Sequence, residues 1–153
     1  MRVGELCGLR IRDIAPLNKV LRQVVLEKHS TKSIRSRTVH LSRQAVSHPR
    51  AYLDKHTGAD NLDAPLFPSR SNPGAPLSSN SGAYIIRTIF ERAGVSHEPS
   101  HFLRRTHTSM IRRNGADLKM THEQLGHSSL ATTERYFVVD PLEKSRAVGK
   151  LWF

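Results

Sequence analysis

The apolar residues of this 153-residue chain fall in short runs, each closed by proline, glycine or a polar stretch, and only two runs alternate in steps of two. That punctuation limits the architecture. Runs repeating at three- and four-residue steps make helices with one buried face, and two alternating runs make one hairpin. Val3, Leu6, Cys7, Ile11 and Ile14 predict a helix over Arg2–Ile14, stopped by Pro16 and with no cap before it. Val20–Glu27 and Arg37–Leu41 alternate, with Val20, Val24 and Leu26 on one face of the first. Between them the basic stretch Lys28–Ser36 forms a long hairpin tip. Ser42 caps a helix to about His56, with Val46, Tyr52 and Leu53 inward and Pro49 kinking it or delaying its start.

Residues 57–76, rich in Pro, Gly, Ser, Asn and Asp, read as a loop anchored at most by Leu66 and Phe67. Ser78–Ala93 is a helix with Ile85, Ile86, Ile89 and Phe90 inward, ended by Gly94. Ser100 caps a helix to Asn114, closed by Gly115. Asp117–Leu125 is helical and ends at Gly126, and Leu130–Phe137 is a short turn. Asp140-Pro141 opens a last amphipathic helix to about Lys150. The expected fold is α+β: one mostly helical domain with one small sheet.

Charge narrows the partner. Lys plus Arg number 24 against 13 Asp plus Glu, for a net charge of +11, and 17 of the 24 cations are Arg. Arginine suits planar, bidentate contacts to phosphate or carboxylate. No apolar stretch approaches the roughly 20 residues of a membrane span, and the opening MRVGELCGLR has no secretory apolar core. The single cysteine, Cys7, excludes a disulfide framework and a cysteine-based zinc site. A soluble intracellular protein with an anionic partner is expected, with nucleic acid ahead of an acidic membrane surface.

Six residues carry chemistry if gathered at one place: Arg2, Lys32, His101, Arg104, His127 and Tyr136. His101 and Arg104 are three apart on a helix and share a face. His127 follows Gly126, which allows a sharp turn at a helix end. A phosphodiester under attack gains negative charge on its non-bridging oxygens. Two guanidiniums and two imidazoles would stabilise that charge as it develops. Lys32 could protonate the leaving oxygen, and the Tyr136 hydroxyl could attack and hold the phosphate covalently. Nearby arginine eases loss of the phenolic proton. This inventory needs no metal, and the acidic residues are scattered rather than paired for two Mg²⁺ ions.

These segments, taken in order, resemble the tyrosine recombinases, or phage-type integrases, over nearly the whole chain. Arg2–Leu9 is similar to the segment holding that family's first catalytic Arg, here Arg2. Thr31–Leu41 resembles its β-hairpin, and counting back five from Arg37 puts the catalytic Lys at Lys32. His-Phe-Leu-Arg matches the His-x-x-Arg box, giving His101 and Arg104. Leu-Gly-His-Ser-Ser-Leu-Ala-Thr-Thr-Glu-Arg-Tyr matches the closing box, giving His127 and the nucleophile Tyr136 nine residues later. Phe102 stands where the family usually has Asp and Arg105 where it often has His, neither a catalytic position.

The resemblance implies a catalytic-domain fold lacking its first helices. It implies a single domain over 1–153, partial at its N-terminus and without a separate DNA-clamping domain. It further implies site-specific recombination or integration of double-stranded DNA through a 3′-phosphotyrosyl link, with neither metal nor ATP. Four protomers would assemble on DNA, the segment from Pro141 to Phe153 docking on a neighbour, in a prokaryotic cytoplasm with no membrane partner. Arg10, Arg12, Arg35, Arg37, Arg43 and Arg87 are expected phosphate contacts that make binding salt-sensitive, and Glu5 is expected to support the loop of Arg2 rather than act as a base. The rival expectations are an inactive DNA-binding remnant of a recombinase and a type IB topoisomerase-like nicking-closing activity.

Overall fold

Two short helices open the fold, α1 (Val3–Cys7) and α2 (Ile11–Ile14), each begun by a carboxylate that reaches back to cap it. Glu5 accepts from the Arg2 backbone N–H at 2.6 Å, and Asp13 from that of Arg10 at 2.8 Å. These coordinates are a computed structural model that describes residues 1–17, 19–27, 36–56, 60–95, 99–126 and 129–134, with 145, 148 and 149; over 99–101 it describes the backbone alone. The single helix expected over Arg2–Ile14 is therefore broken. Arg10 is extended, and the free N–H groups of α2 turn to the following loop: Ile11 donates to Ala64 and Arg12 to Leu62, while Leu66 donates back to Leu9. Satisfying those donors outside the helix is what divides it.

The hairpin matches its alternation. β1 (Gln23–Leu26) pairs antiparallel with β2 (Arg37–His40), with Val24 opposite Val39 and Leu26 opposite Arg37. Val24, Leu26 and Val39 are buried and Val25 is exposed, as a one-sided sheet requires. The core joins this face to Leu9, Ile11 and Ile14 of the opening segment, to Leu53 and to Leu66. Leu53 comes from α3 (Arg43–Leu53), capped by the Ser42 hydroxyl, which accepts from the Ala45 N–H at 3.1 Å. Pro49 lies inside α3 and does not delay its start. Tyr52 is only half inward; its hydroxyl donates to the Leu66 carbonyl at 2.9 Å. The described part of the 57–76 loop is thus tied to the core at more points than Leu66 and Phe67.

α4 (Ser79–Arg92), capped by Ser78, lies on α1 through Gly82. A Cβ at Gly82 would stand 2.5 Å from Cys7 Sγ and 3.2 Å from Val3 Cγ1. That close approach selects the helix row 82, 86, 90 at four-residue steps. Ile86 and Phe90 are accordingly half-buried, whereas Ile85 and Ile89, expected inward, lie one row away and are 46% and 57% exposed.

α5 (Pro99–Arg113) starts at Pro99, so Ser100 lies inside the first turn rather than capping it. α6 (Leu118–Leu125) is capped by Asp117 and ends at Gly126 in the left-handed conformation, as expected. α7 (Leu130–Glu134) fills part of the anticipated Leu130–Phe137 turn. These helices pack around Leu125 and three fully buried threonines. The hydroxyls of Thr108 and Thr121 donate to carbonyls one turn back, at 2.7 and 2.8 Å, and Thr133 meets His122 Nδ1 at 3.1 Å. Buried hydroxyls with such partners carry no desolvation penalty that is left uncompensated. The last helix expected from Pro141 and the Leu151-Trp152-Phe153 tail lie outside the described residues, save 145, 148 and 149. Among the described residues no helix is long and apolar enough to cross a membrane.

Candidate active site

The left-handed turn that ends α6 is where the distant cations meet. A helix C-terminus presents carbonyls without intrahelical partners and a partial negative charge. Arg104, on α5, donates from Nη2 to the Leu125 carbonyl at 2.5 Å. Arg2, the residue preceding α1, donates from Nη2 to the next carbonyl, Gly126, at 3.1 Å. Two guanidiniums 102 residues apart in the chain thus hold adjacent peptide units, immediately before His127 in the sequence. The Arg2 side chain stays 40% exposed, which leaves it open to an anion.

One buried carboxylate organises the cluster. Glu5, 2% exposed, accepts from the Arg2 backbone N–H through Oε2 and from Arg2 Nη1 through Oε1 at 3.3 Å. The expected support of Arg2 by Glu5 is therefore direct. Glu5 Oε2 also accepts from Arg37 Nη2 at 2.6 Å. Burial pushes the Glu5 carboxyl up, but the Arg37 hydrogen bond, the Arg2 N–H and both guanidinium charges together outweigh it, and the net shift is downward. The surplus of positive charge reaches further. Burial, then Arg104, hold the Met1 amino group down to about 6. His107 is held below the ordinary histidine value by burial, then by that amino group and Arg104.

Of the six residues expected to carry chemistry, the structure brings together Arg2 and Arg104. His101 stands three residues before Arg104 on α5, where the backbone alone is described. Lys32, His127 and Tyr136 lie outside the described residues, as does Arg35. α7 ends two residues before Tyr136, and the His122–Thr133 contact ties it to α6.

The expected phosphate contacts divide. Arg43 is exposed at the start of α3. Arg10 donates to the Asp63 carbonyl at 2.9 Å and Arg12 pairs with the Asp63 carboxylate, so both tie α2 to the loop while staying about half exposed. Arg87 lies 3.7 Å from Glu91 and over the Tyr84 ring. Arg37 does not sit where a surface contact belongs: its side chain is 9% exposed and faces Glu5. Strand alternation carries the signal for this, since Arg37 stands two residues before the buried Val39 and shares its face. Among the described residues no group of three His, Cys, Asp or Glu is gathered to hold a metal ion.

Known proteins resemble this chain in sequence and in fold. The Phage integrase family matches residues 1–143. The tyrosine recombinase XerC of Pelobacter propionicus is 36% identical over 137 residues, covering 89% of this chain and 42% of the relative. The crystal structure of XerA recombinase superposes with a TM-score of 0.77 at 26% identity, over 99% of this chain and 54% of that one. The Tn1549 transposon integrase in complex with circular intermediate DNA shares the fold, with a TM-score of 0.72 at 19% identity over 98% of this chain and 55% of that one. The chain thus spans about half the length of the proteins it matches. With residues 1–143 matched by its model, the chain belongs to the phage integrase family, that of the tyrosine recombinases.

Proposed function

We propose that this chain is the strand-cleaving domain of a site-specific DNA recombinase or integrase. The observation that carries the reading is the convergence of Arg2 and Arg104 on the Leu125 and Gly126 carbonyls, directly before His127. Around a scissile phosphate, Arg2, Arg104, His101 and His127 stabilise the charge that develops on the non-bridging oxygens. The Tyr136 hydroxyl gives its proton to solvent and attacks phosphorus, the bond to the 5′-oxygen breaks as a 3′-phosphotyrosyl ester forms, and Lys32 gives a proton to that departing oxygen. A 5′-hydroxyl from a partner duplex then attacks that ester, reforms the phosphodiester and returns the phenol. The ester keeps the energy of the broken bond, so the two steps balance without a nucleotide or a metal. The partner is double-stranded DNA, and a tetramer holding two duplexes, joined by C-terminal segments in trans, is the proposed working assembly. Relatives titled as transposase and DNA-bound integrase support the substrate.

The test is covalent trapping. With a nicked duplex carrying the recombination site, wild-type protein yields an SDS-resistant adduct, and Tyr136→Phe yields none. An adduct that persists in Tyr136→Phe assigns the nucleophile elsewhere. Salt-sensitive binding with no adduct on any nicked substrate points instead to a DNA-binding remnant. Relaxation of supercoiled plasmid without a site requirement points to a topoisomerase-like activity.

A further inference from the structure

A third guanidinium stands at the same helix end, and neither charge pairing alone nor surface contact accounts for its placement. Arg37 is one-tenth exposed and pairs with Glu5 through Nη2, yet its Nε and Nη1 are buried with no hydrogen-bond partner among the described residues. Its guanidinium is pressed against Gly126. A Cβ at Gly126 would fall 2.5 Å from Arg37 Cζ and 2.6 Å from Cδ, a clash with the head of the side chain. Gly126 is also left-handed, with φ of +61°, so glycine is selected there twice, once by backbone conformation and once by this contact. The strand that carries Arg37 is pinned to α6 at a second point. The Gln124 side chain accepts from the His40 N–H at 3.1 Å and donates to the His40 carbonyl at 2.9 Å, closing both main-chain groups at the edge of β2.

We propose that Arg37 is a positioning residue. It wedges the Gly126 turn between β2 and Glu5, and so fixes the backbone that leads into residue 127 relative to Arg2 and Arg104. The three arginines then act at one locus in different ways. Arg2 and Arg104 hold the carbonyls of residues 126 and 125, and Arg37 fills the space that the missing Cβ leaves. Its burial keeps it from being an ordinary phosphate contact. The consequence for catalysis rests on the proposed strand-transfer reading; the contact itself does not.

The experiment compares Arg37→Ala, Arg37→Lys, Gly126→Ala and the Arg37→Ala/Gly126→Ala double variant in this chain, by urea unfolding and by single-turnover adduct formation at saturating nicked DNA. Arg37→Lys keeps a cation for Glu5 and is the variant that folds if Arg37→Ala does not. The expected result is an adduct rate lowered by about 10²-fold in Arg37→Ala and by less in Arg37→Lys, with the DNA dissociation constant and its salt slope unchanged. The stability losses of Arg37→Ala and Gly126→Ala are expected to be non-additive, because removing the guanidinium makes room for the Cβ. Weakened DNA binding with a salt slope reduced by about one overturns the inference in favour of a phosphate contact. An unchanged adduct rate, or additive stability losses, also overturns it. If wild-type protein forms no adduct, the strand-transfer reading fails by itself and the stability cycle alone decides whether Arg37 holds Gly126.

Discussion

Glu5 and Arg37 form an ion pair of 2.6 Å in which both side chains are almost wholly buried, at 2% and 9% exposure. Removing one member leaves the other charge buried and unmatched, which costs about 3–5 kcal/mol in such settings. Glu5→Gln is therefore expected to lower the unfolding free energy by about that amount at pH 7. The pH dependence has a definite sign. The Glu5 carboxyl is held below its ordinary value of 4.5, so the unfolded chain takes up the proton first as pH falls. Its stabilisation is full above 4.5 and is lost as pH falls through the folded-state value. Urea unfolding of both proteins from pH 7 down to pH 3 checks this: the gap between them should narrow as pH falls below 4.5. A gap independent of pH would mean that Glu5 acts through its shape and not its charge.

Arg104→Ala is expected to slow adduct formation on nicked DNA by about 10²–10³-fold, the usual cost of losing one donor aimed at developing charge. The loss should appear in the rate at saturating DNA, since a group that acts on the transition state changes turnover more than affinity. Quench-flow kinetics with a DNA titration separate the two. A loss confined to affinity would place Arg104 in ground-state binding.

Gly82→Ala is expected to cost roughly 1–3 kcal/mol of stability, because the new methyl meets the Cys7 sulfur and Val3 where α4 lies on α1. Cys7→Ala removes the sulfur, so the double variant should recover part of the loss. Chemical denaturation of the four proteins completes the cycle. Full additivity would show that the two helices separate rather than press together.

Arg43 is exposed, while Arg10 and Arg12 are engaged with Asp63. Arg43→Ala is expected to reduce the slope of log affinity against log salt by about one and to weaken binding equally for any DNA sequence. Fluorescence anisotropy with specific and random duplexes across a salt series measures both quantities. An unchanged slope would remove Arg43 from the DNA-facing surface.

The elements of this fold were legible because their signals are local. Asp117 and Gly126 bracket α6 by their own chemistry, a side-chain acceptor at one end and a left-handed backbone at the other. The hairpin shows in the alternation around Val24, Leu26 and Val39, since successive side chains of a strand must point to opposite faces. The order of the motifs that contain Arg2 and Arg104 carries the family resemblance in the sequence itself.

What the chain alone left open depends on contacts between segments far apart in it. The break between α1 and α2 follows from Ala64 and Leu62 accepting the N–H groups of Ile11 and Arg12. The inward face of α4 is chosen by how closely Gly82 meets Cys7, a choice that apolar spacing cannot make when Ile85, Ile86, Ile89 and Phe90 all compete. Arg37 reads as one more cation in a basic segment until Glu5 and Gly126 close around it. Charge and periodicity belong to the residues themselves, but whether a guanidinium faces water, a carboxylate or a glycine is settled only when the helices pack.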